Sequence, residues 1–427
     1  MKKESLVPLS LLLFYLCLEY GRPQDLLPFL RVLRLPTITI ILLALSLIIS
    51  GKIQLLKDKQ TTLLMFLLGL MVVHGPIAVN NYWALMIFIT MVMNFIVFLS
   101  LIHYVDNLDK YERLVKIWLG IHVFLAIIGI MKTGRGIGGF LADENDFCMT
   151  MNMIIPFSFF LAMNTSGGKK IYYIVLTSLF LFVIILSNSR GGFVGLIAAF
   201  IYCWLRTKRK ILTALIMGVL AVFAVVVAPS AYWDRIHSIS EEGADKGTGE
   251  ERVYTWKIGW HMFLDNPIIG VGQGNFPWVF QKYELQVTGS DDPFYGRSVA
   301  GRAAHSIYFT MLPELGILGT GIFFAMIYYT FIDLRTIKDR LFNKGHKVPY
   351  RELRTIKDRS FNKGNKVLNP SSDKYLSLAL ALEGSLVSYL VSGAFISILY
   401  YPNLWFLMGF IISLKYIVIK DLKADPA

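Results

Sequence analysis

Long apolar runs, repeated along the whole chain, constrain this sequence more than any other feature. They fall near residues 5–20, 36–51, 62–79, 82–104, 112–131, 147–164, 171–187, 191–205, 210–229, 304–332, 375–399 and 402–419. A stretch of about 17–25 such residues is long enough to cross a bilayer as a helix. In hydrocarbon every backbone polar group must pair within its own segment, so helices and not an open sheet are expected. Charged residues make up 17% of the chain, against roughly 25% for a soluble domain, which argues against a large water-soluble core. The expected class is an all-α polytopic membrane protein with about twelve transmembrane helices.

The short loops then set an orientation. Lys2 and Lys3, Lys52, Lys57 and Lys59, Lys110 and Arg113, Lys169 and Lys170, and Arg206 with Lys208, Arg209 and Lys210 all fall on one side. The 333–374 loop and Lys420 and Lys423 fall there too. By the positive-inside rule that side is the cytoplasm, with both termini on it. Residues 21–35 are discordant, because Arg22, Arg31 and Arg34 fall outside. The formal charge of +13 reads as a topology and anionic-lipid signal, with membrane lipids as partners. No basic soluble face with stacking aromatics points to nucleic acid. The first apolar run is not expected to be a cleaved signal peptide, since Glu19 to Pro23 is a poor small-residue cleavage site. Cys17, Cys148 and Cys203 lack metal-site spacing and imply no disulfide framework.

Five regions follow. Residues 1–229 form an N-terminal bundle of about nine helices, and 230–303 a long outer loop. Residues 304–332 form a helix headed by His305, 333–374 a basic loop, and 375–427 the last two helices and a tail. The basic loop contains a tandem duplication with a period of 19 residues, Leu334–Lys347 followed by Leu353–Lys366. Two copies are too few for a solenoid, and a linker on which nothing packs tolerates such insertion. In the outer loop, Val253, Trp256, Trp260 and Phe263 recur at helical spacing, which predicts a helix lying on the membrane surface. Gly270, Gly272 and Gly274 predict a tight turn, without the spacing or preceding strand of a dinucleotide fingerprint.

Candidate chemistry gathers where this loop re-enters the membrane. Arg297 and Arg302 approach the bilayer, and His305 and Ser306 begin the next apolar helix. A helix start is a ready anion site, and a histidine there can take a proton from a hydroxyl. A structural, hydrogen-bonding histidine is the competing reading. Pro313 should kink the helix, and Gly316, Gly319 and Gly321 should let neighbouring helices approach closely. Asp143, Glu144 and Asp146 suit the start of the helix near Phe147. Glu383 is an ionisable group inside a span and is a functional suspect on that ground.

The spacing of His305-Ser306, nine residues, Gly316, two residues and Gly319 resembles the signature of the O-antigen ligase and polymerase superfamily. Ser187 to Gly192 resembles its Ser-Arg-Gly element, and Arg252, Trp256 and Asn266-Pro267 to Phe276 resemble its large-loop motif. Gly21 to Asp25 and Leu141 to Phe147 are similar to the O-glycosylation ligases associated with exosortase-A systems. The resemblance implies a polytopic, GT-C-like glycosyltransferase in the bacterial inner membrane with its active site facing the periplasm. Its donor would be an undecaprenyl diphosphate-linked glycan, and its acceptor a hydroxyl on lipid A-core, protein or another glycan. Guanidinium groups stabilise a diphosphate leaving group bidentately; Arg190 and Arg252, backed by Arg302 and Arg135, are the candidates. With arginine supplying the charge, no metal and no cofactor are expected. His305 would act as base or acceptor-orienting group in an inverting displacement. A polymerase, with a second lipid-linked glycan as acceptor, shares these motifs. A transporter should instead show repeats across its helices and ionisable residues at mid-membrane.

Overall fold

The computed structural model describes residues 7–51, 57–207, 248–287, 303–343 and 370–424, with scattered positions between 210 and 218. Every extended element among the described residues is helical. The helices are α1 Val7–Gly21, α2 Pro23–Leu26, α3 Leu35–Ser50, α4 Lys59–Ile77, α5 Asn81–Tyr104, α6 Leu108–Met131 and α7 Glu144–Met163. They continue as α8 Gly167–Leu186, α9 Arg190–Arg206, α10 Thr248–Asp265, α11 Phe276–Val287, α12 Ile307–Asn343, α13 Pro370–Ser392 and α14 Pro402–Ala424. Nine helical stretches among the described residues are long and apolar enough to span a membrane. The chain is a multi-pass, all-α membrane protein.

Of the twelve expected spans, the 5–20 and 191–205 segments are the helices α1 and α9, of 15 and 17 residues. At 1.5 Å per residue they reach only about 22–26 Å. The 210–229 segment lies largely outside the described residues, as does most of the duplication. The helix expected over 304–332 runs on to Asn343, so the first repeat copy begins on a packed helix, with Lys338 only 4% exposed. At the other boundary α13 stops at Ser392 and a 3-10 turn, Gly393–Phe395, follows.

The core is organised around α7. Its sequence is apolar on all sides, and a helix of that kind is buried all round; it packs against α8, α9 and α13. Among its polar groups, Thr150 donates to the Asp146 carbonyl at 3.1 Å and Asn152 Nδ2 to the Gly192 carbonyl at 2.9 Å. Exposed apolar rows on α3 and α8, such as Ile41, Ile48, Ile171 and Val175, mark lipid-facing surface.

The discordant charges of residues 21–35 have a local explanation. Asp25 accepts from Arg22 Nε at 2.6 Å and from Arg31 at 3.3 Å. The Arg22 guanidinium lies against Gly139 and the Asp25 carboxylate against Gly138, tying this segment to the α6–α7 loop. Two of the three cations are thus paired locally.

The two ends of the bundle differ in character. One end carries the α1–α3, α6–α7 and α8–α9 turns, α10, α11 and His305; the other carries the basic ends of α9, α12 and α14. At the latter end Lys415 bridges Asp58 at 2.9 Å and Asp333 at 3.0 Å, while Gln60 donates to Asp333 at 2.8 Å. Glu383, the suspect inside α13, accepts from Lys338 at 2.8 Å, from Arg206 at 3.3 Å and from the Tyr202 hydroxyl. It therefore joins α9, α12 and α13 as the centre of a buried ion-pair cluster.

Candidate active site

Two helix starts meet at the loop-bearing end. Asp143 caps α7, its carboxylate accepting from the Asn145 amide at 2.8 Å. Ser189 caps α9, accepting from the Gly192 amide at 2.9 Å, and its hydroxyl donates to Asn145 Oδ1 at 2.6 Å. A cap satisfies amides that the helix itself leaves unpaired, and here the same contacts lock the two starts together. Gly134 completes the corner. At φ +81° and with the Ser187 Cα only 2.0 Å from where a Cβ would stand, the position admits glycine alone.

Arg190 is the first residue of α9 and is exposed. Arg252, one turn into α10, is half-buried, with its guanidinium carbon 6.0 Å from the centre of the Phe395 ring. Burial and the like charge of Arg190 lower the pKa of Arg252, and Asp143 opposes them. Two guanidinium groups from distant parts of the chain are thus near enough to feel one another's charge, with the Asp143 carboxylate opposing. Arginine stays protonated under such pressure, so the result is concentrated positive charge beside two helix N-termini, which favour anions. Arg135, also proposed from sequence, is 59% exposed and paired with Glu144 at 2.9 Å. Arg302 lies outside the described residues.

His305 adopts φ +48°, in the left-handed region. Such a conformation costs a non-glycine residue about 1–2 kcal/mol and is held only where the surroundings fix it. Here Trp256 Nε1 donates to the Ala304 carbonyl at 2.8 Å, and its ring stacks on Phe309 at 4.7 Å. On the other side Ser306 faces the Phe309 amide at 3.5 Å, the position of a helix cap. His305 stands exposed between these two anchors. Trp256 is one helical turn beyond Arg252, so one helix carries the arginine and grips the histidine turn. Ile307 also packs against Gly393, which leads into Phe395 beneath Arg252.

The packed face of α10 is Tyr254, Ile258 and Met262, while Val253 and Trp260 are exposed at 61% and 46%. Of the residues expected on one apolar face, Trp256 is held by the Ala304 carbonyl and Phe309, and Val253 and Trp260 point away from the packed side.

The expected kink at Pro313 is likewise displaced. α12 breaks at Gly316, with φ +59° and ψ −164°. Residues 266–275 fold back against this break. Val271 and Gly272 donate to the carbonyls of Pro313 and Glu314 at 2.8 and 3.0 Å. Ile317 and Leu318 donate to Pro267 and Ile268 at 2.8 and 3.1 Å. The loop so supplies the hydrogen bonds the broken helix lacks, a condition for irregular backbone at membrane depth. A Cβ on Gly270 would lie 2.5 Å from the Glu314 carbonyl carbon, so the two backbones approach as only glycine allows. Gly316 therefore breaks the helix instead of packing helices together, and Gly321 has no close neighbour at all.

Around this junction are residues that sequence reading passed over. Glu314, 2% exposed, accepts from the Gly274 amide at 2.8 Å, the Phe276 amide at 3.0 Å and the Tyr400 hydroxyl at 2.6 Å. His74 bridges Gln273 Oε1 and the Ile269 carbonyl, both at 2.7 Å. Asn275 Oδ1 accepts from the Asn80 amide at 2.7 Å. A glutamate two residues before a glycine break was the available signal, and His74 was visible as a polar residue in an apolar run.

Residues 175–324 match the family described as O-antigen ligase. That match contains Arg190, Arg252, the 266–275 loop, His305 and the Gly316 break together. Over these residues, about a third of its length, the chain is similar to the O-antigen ligase and polymerase superfamily. It is also 26% identical over 223 residues to the teichuronic acid biosynthesis protein TuaE of Bacillus subtilis (strain 168). That alignment covers 44% of this chain and 44% of the relative, so under half the length of either is compared. Within the superfamily match, the arginine pair and the histidine turn are contributed by α9, α10 and the approach to α12.

Proposed function

We propose that the chain is a membrane glycosyltransferase that moves a glycan from undecaprenyl diphosphate to an acceptor hydroxyl on the periplasmic side of the bacterial inner membrane. The observation that carries this reading is the placing of Arg190 at the Ser189-capped start of α9, with Arg252 half-buried over Phe395 and within reach of its charge. Two cations so placed suit a dianionic leaving group. The acceptor oxygen attacks the anomeric carbon, the bond to the diphosphate oxygen breaks with inversion, and undecaprenyl diphosphate leaves with the electron pair. Arg190 and Arg252 hold the growing negative charge. The hydroxyl proton passes to the imidazole of His305. Arg302 stands three residues before His305 in sequence and is assigned to the same anion; Arg135, paired with Glu144, is assigned to its margin. The basic loops support a cytoplasmic position for the opposite end of the bundle.

A second reading, a polymerase with another lipid-linked glycan as acceptor, is favoured by the name of the relative, a protein of teichuronic acid biosynthesis. His305→Ala in the native host separates the two. Full-length lipid-linked chains accumulating without their final acceptor support ligation, and single repeat units support polymerisation. Unchanged glycans would remove both.

A further inference from the structure

We propose that Glu314 is a positioning residue, which clamps the 266–275 loop to the broken helix α12 and thereby sets Arg252 at a fixed place relative to His305. The proposal rests on the transferase reading above for its kinetic consequence, and on geometry alone for the clamp.

The path of the constraint is continuous. Glu314 lies two residues before the break at Gly316. Its two carboxylate oxygens take the amides of Gly274 and Phe276, which end the loop and begin α11. Tyr400, from the turn between α13 and α14, donates the third bond. The start of the same loop follows α10 directly, and Asn266 donates to the Tyr283 hydroxyl of α11 at 3.0 Å. α10 carries Arg252 and, through Trp256, grips the carbonyl that precedes His305. His305 in turn heads the half of α12 that ends at Glu314. The chain of contacts is therefore a closed ring: histidine turn, first half of α12, glutamate, loop, α10, tryptophan, histidine turn. A ring of this kind fixes spacing, and Glu314 is its one charged fastener. Displacements on the order of 1 Å in such a frame are enough to slow chemistry by about a hundredfold.

The isosteric change Glu314→Gln tests this. An amide has one acceptor oxygen, so its nitrogen must face one of the two backbone N–H groups. The full chain in nanodiscs is compared by hydrogen exchange and by transfer from lipid-linked glycan extracted from the native host. Exchange at Gly274 and Phe276 is expected to accelerate by about tenfold or more, the factor that follows from losing one hydrogen bond to a charged acceptor. The kcat should fall by a similar or larger factor while the donor KM holds, because the arginines remain. Tyr400→Phe removes one bond of the three and should give the same pattern, weaker. It also serves if Glu314→Gln does not fold. Unchanged exchange in the folded variants overturns the clamp. Faster exchange with unchanged kcat overturns the positioning role and leaves the transferase reading standing. A parent chain that transfers nothing overturns that reading, and with it the kinetic half of the proposal, while the exchange result still decides the clamp.

Discussion

The two ends of the bundle handle charge in opposite ways. At the basic end, Lys338 is 4% exposed and Lys415 has 13% of its side chain exposed, and each is matched to carboxylates within 3.0 Å. At the loop-bearing end, half-buried Arg252 feels the like charge of Arg190, with Asp143 opposing it. The backbone follows the same division. Every left-handed non-glycine among the described residues, Arg22, Arg34, Thr133, Asn188 and His305, belongs to a turn of the loop-bearing end. Strain and like charge are both costs to folding, and such costs cluster at functional sites, which is why the proposed site is placed at this end. Paired, buried charge at the other end holds helices in register.

This contrast is open to direct attack. The largest stability effect should come from Lys338→Met, which leaves Glu383 buried with only the partly exposed Arg206 and Tyr202 for support. Breaking such a pair costs about 3–5 kcal/mol, read as a lower unfolding midpoint in detergent. Arg252→Ala should do the reverse: transfer falls by roughly 10²–10³-fold, the usual cost of removing one stabiliser of developing charge. The unfolding midpoint should stay level or rise, since a like-charge contact is relieved. A fall in stability comparable to that of Lys338→Met would erase the distinction between the two ends.

Smaller effects sharpen it. His305→Asn should abolish transfer without destabilising the fold, because asparagine tolerates the left-handed conformation. His305→Ala should abolish transfer as well, at a stability close to the parent's, because histidine and alanine meet the same left-handed cost. Ser189→Ala removes the cap that also binds Asn145, and should lower stability by about 1 kcal/mol. The mildest test is Arg252→Lys. Burial and Arg190 lower the pKa at this position, and a lysine there would have its charged form disfavoured. A lowered pKa means the charge is present at low pH and lost as pH rises through it. Donor KM should therefore climb with pH in the variant and stay flat in the parent, measured by initial transfer rates.

Much of this architecture was legible in the sequence, because hydrocarbon leaves so few alternatives. Apolar runs located the helices, while Arg190, Arg252 and His305 stand out in the sequence through motifs that resemble a known family. What was not legible is equally specific. Glu314 sits in an apolar helix, and its partners are backbone amides some 40 residues earlier, which carry no side-chain signature. The break falls at Gly316 and not at Pro313, since the proline keeps helical geometry while the loop needs the freed backbone of the glycine. α10 had two candidate stripes, and only its contact with α11 and Ala304 decides which is buried. Glu383 was marked as suspect for being ionisable; its neighbours on α9 and α12 give it a structural account.

The pairing of residues 267–272 with the break in α12 also bears on how the protein is made. A helix interrupted at Gly316 exposes amides and carbonyls that lipid cannot satisfy. The segment that satisfies them is translated first, some 45 residues ahead of the interruption, as chain order dictates. The complement has already been synthesised when the defective helix arrives. Reversing that order, by a circular permutation that delivers α12 before its loop, would ask the translocon to release a helix with nothing to close its gap.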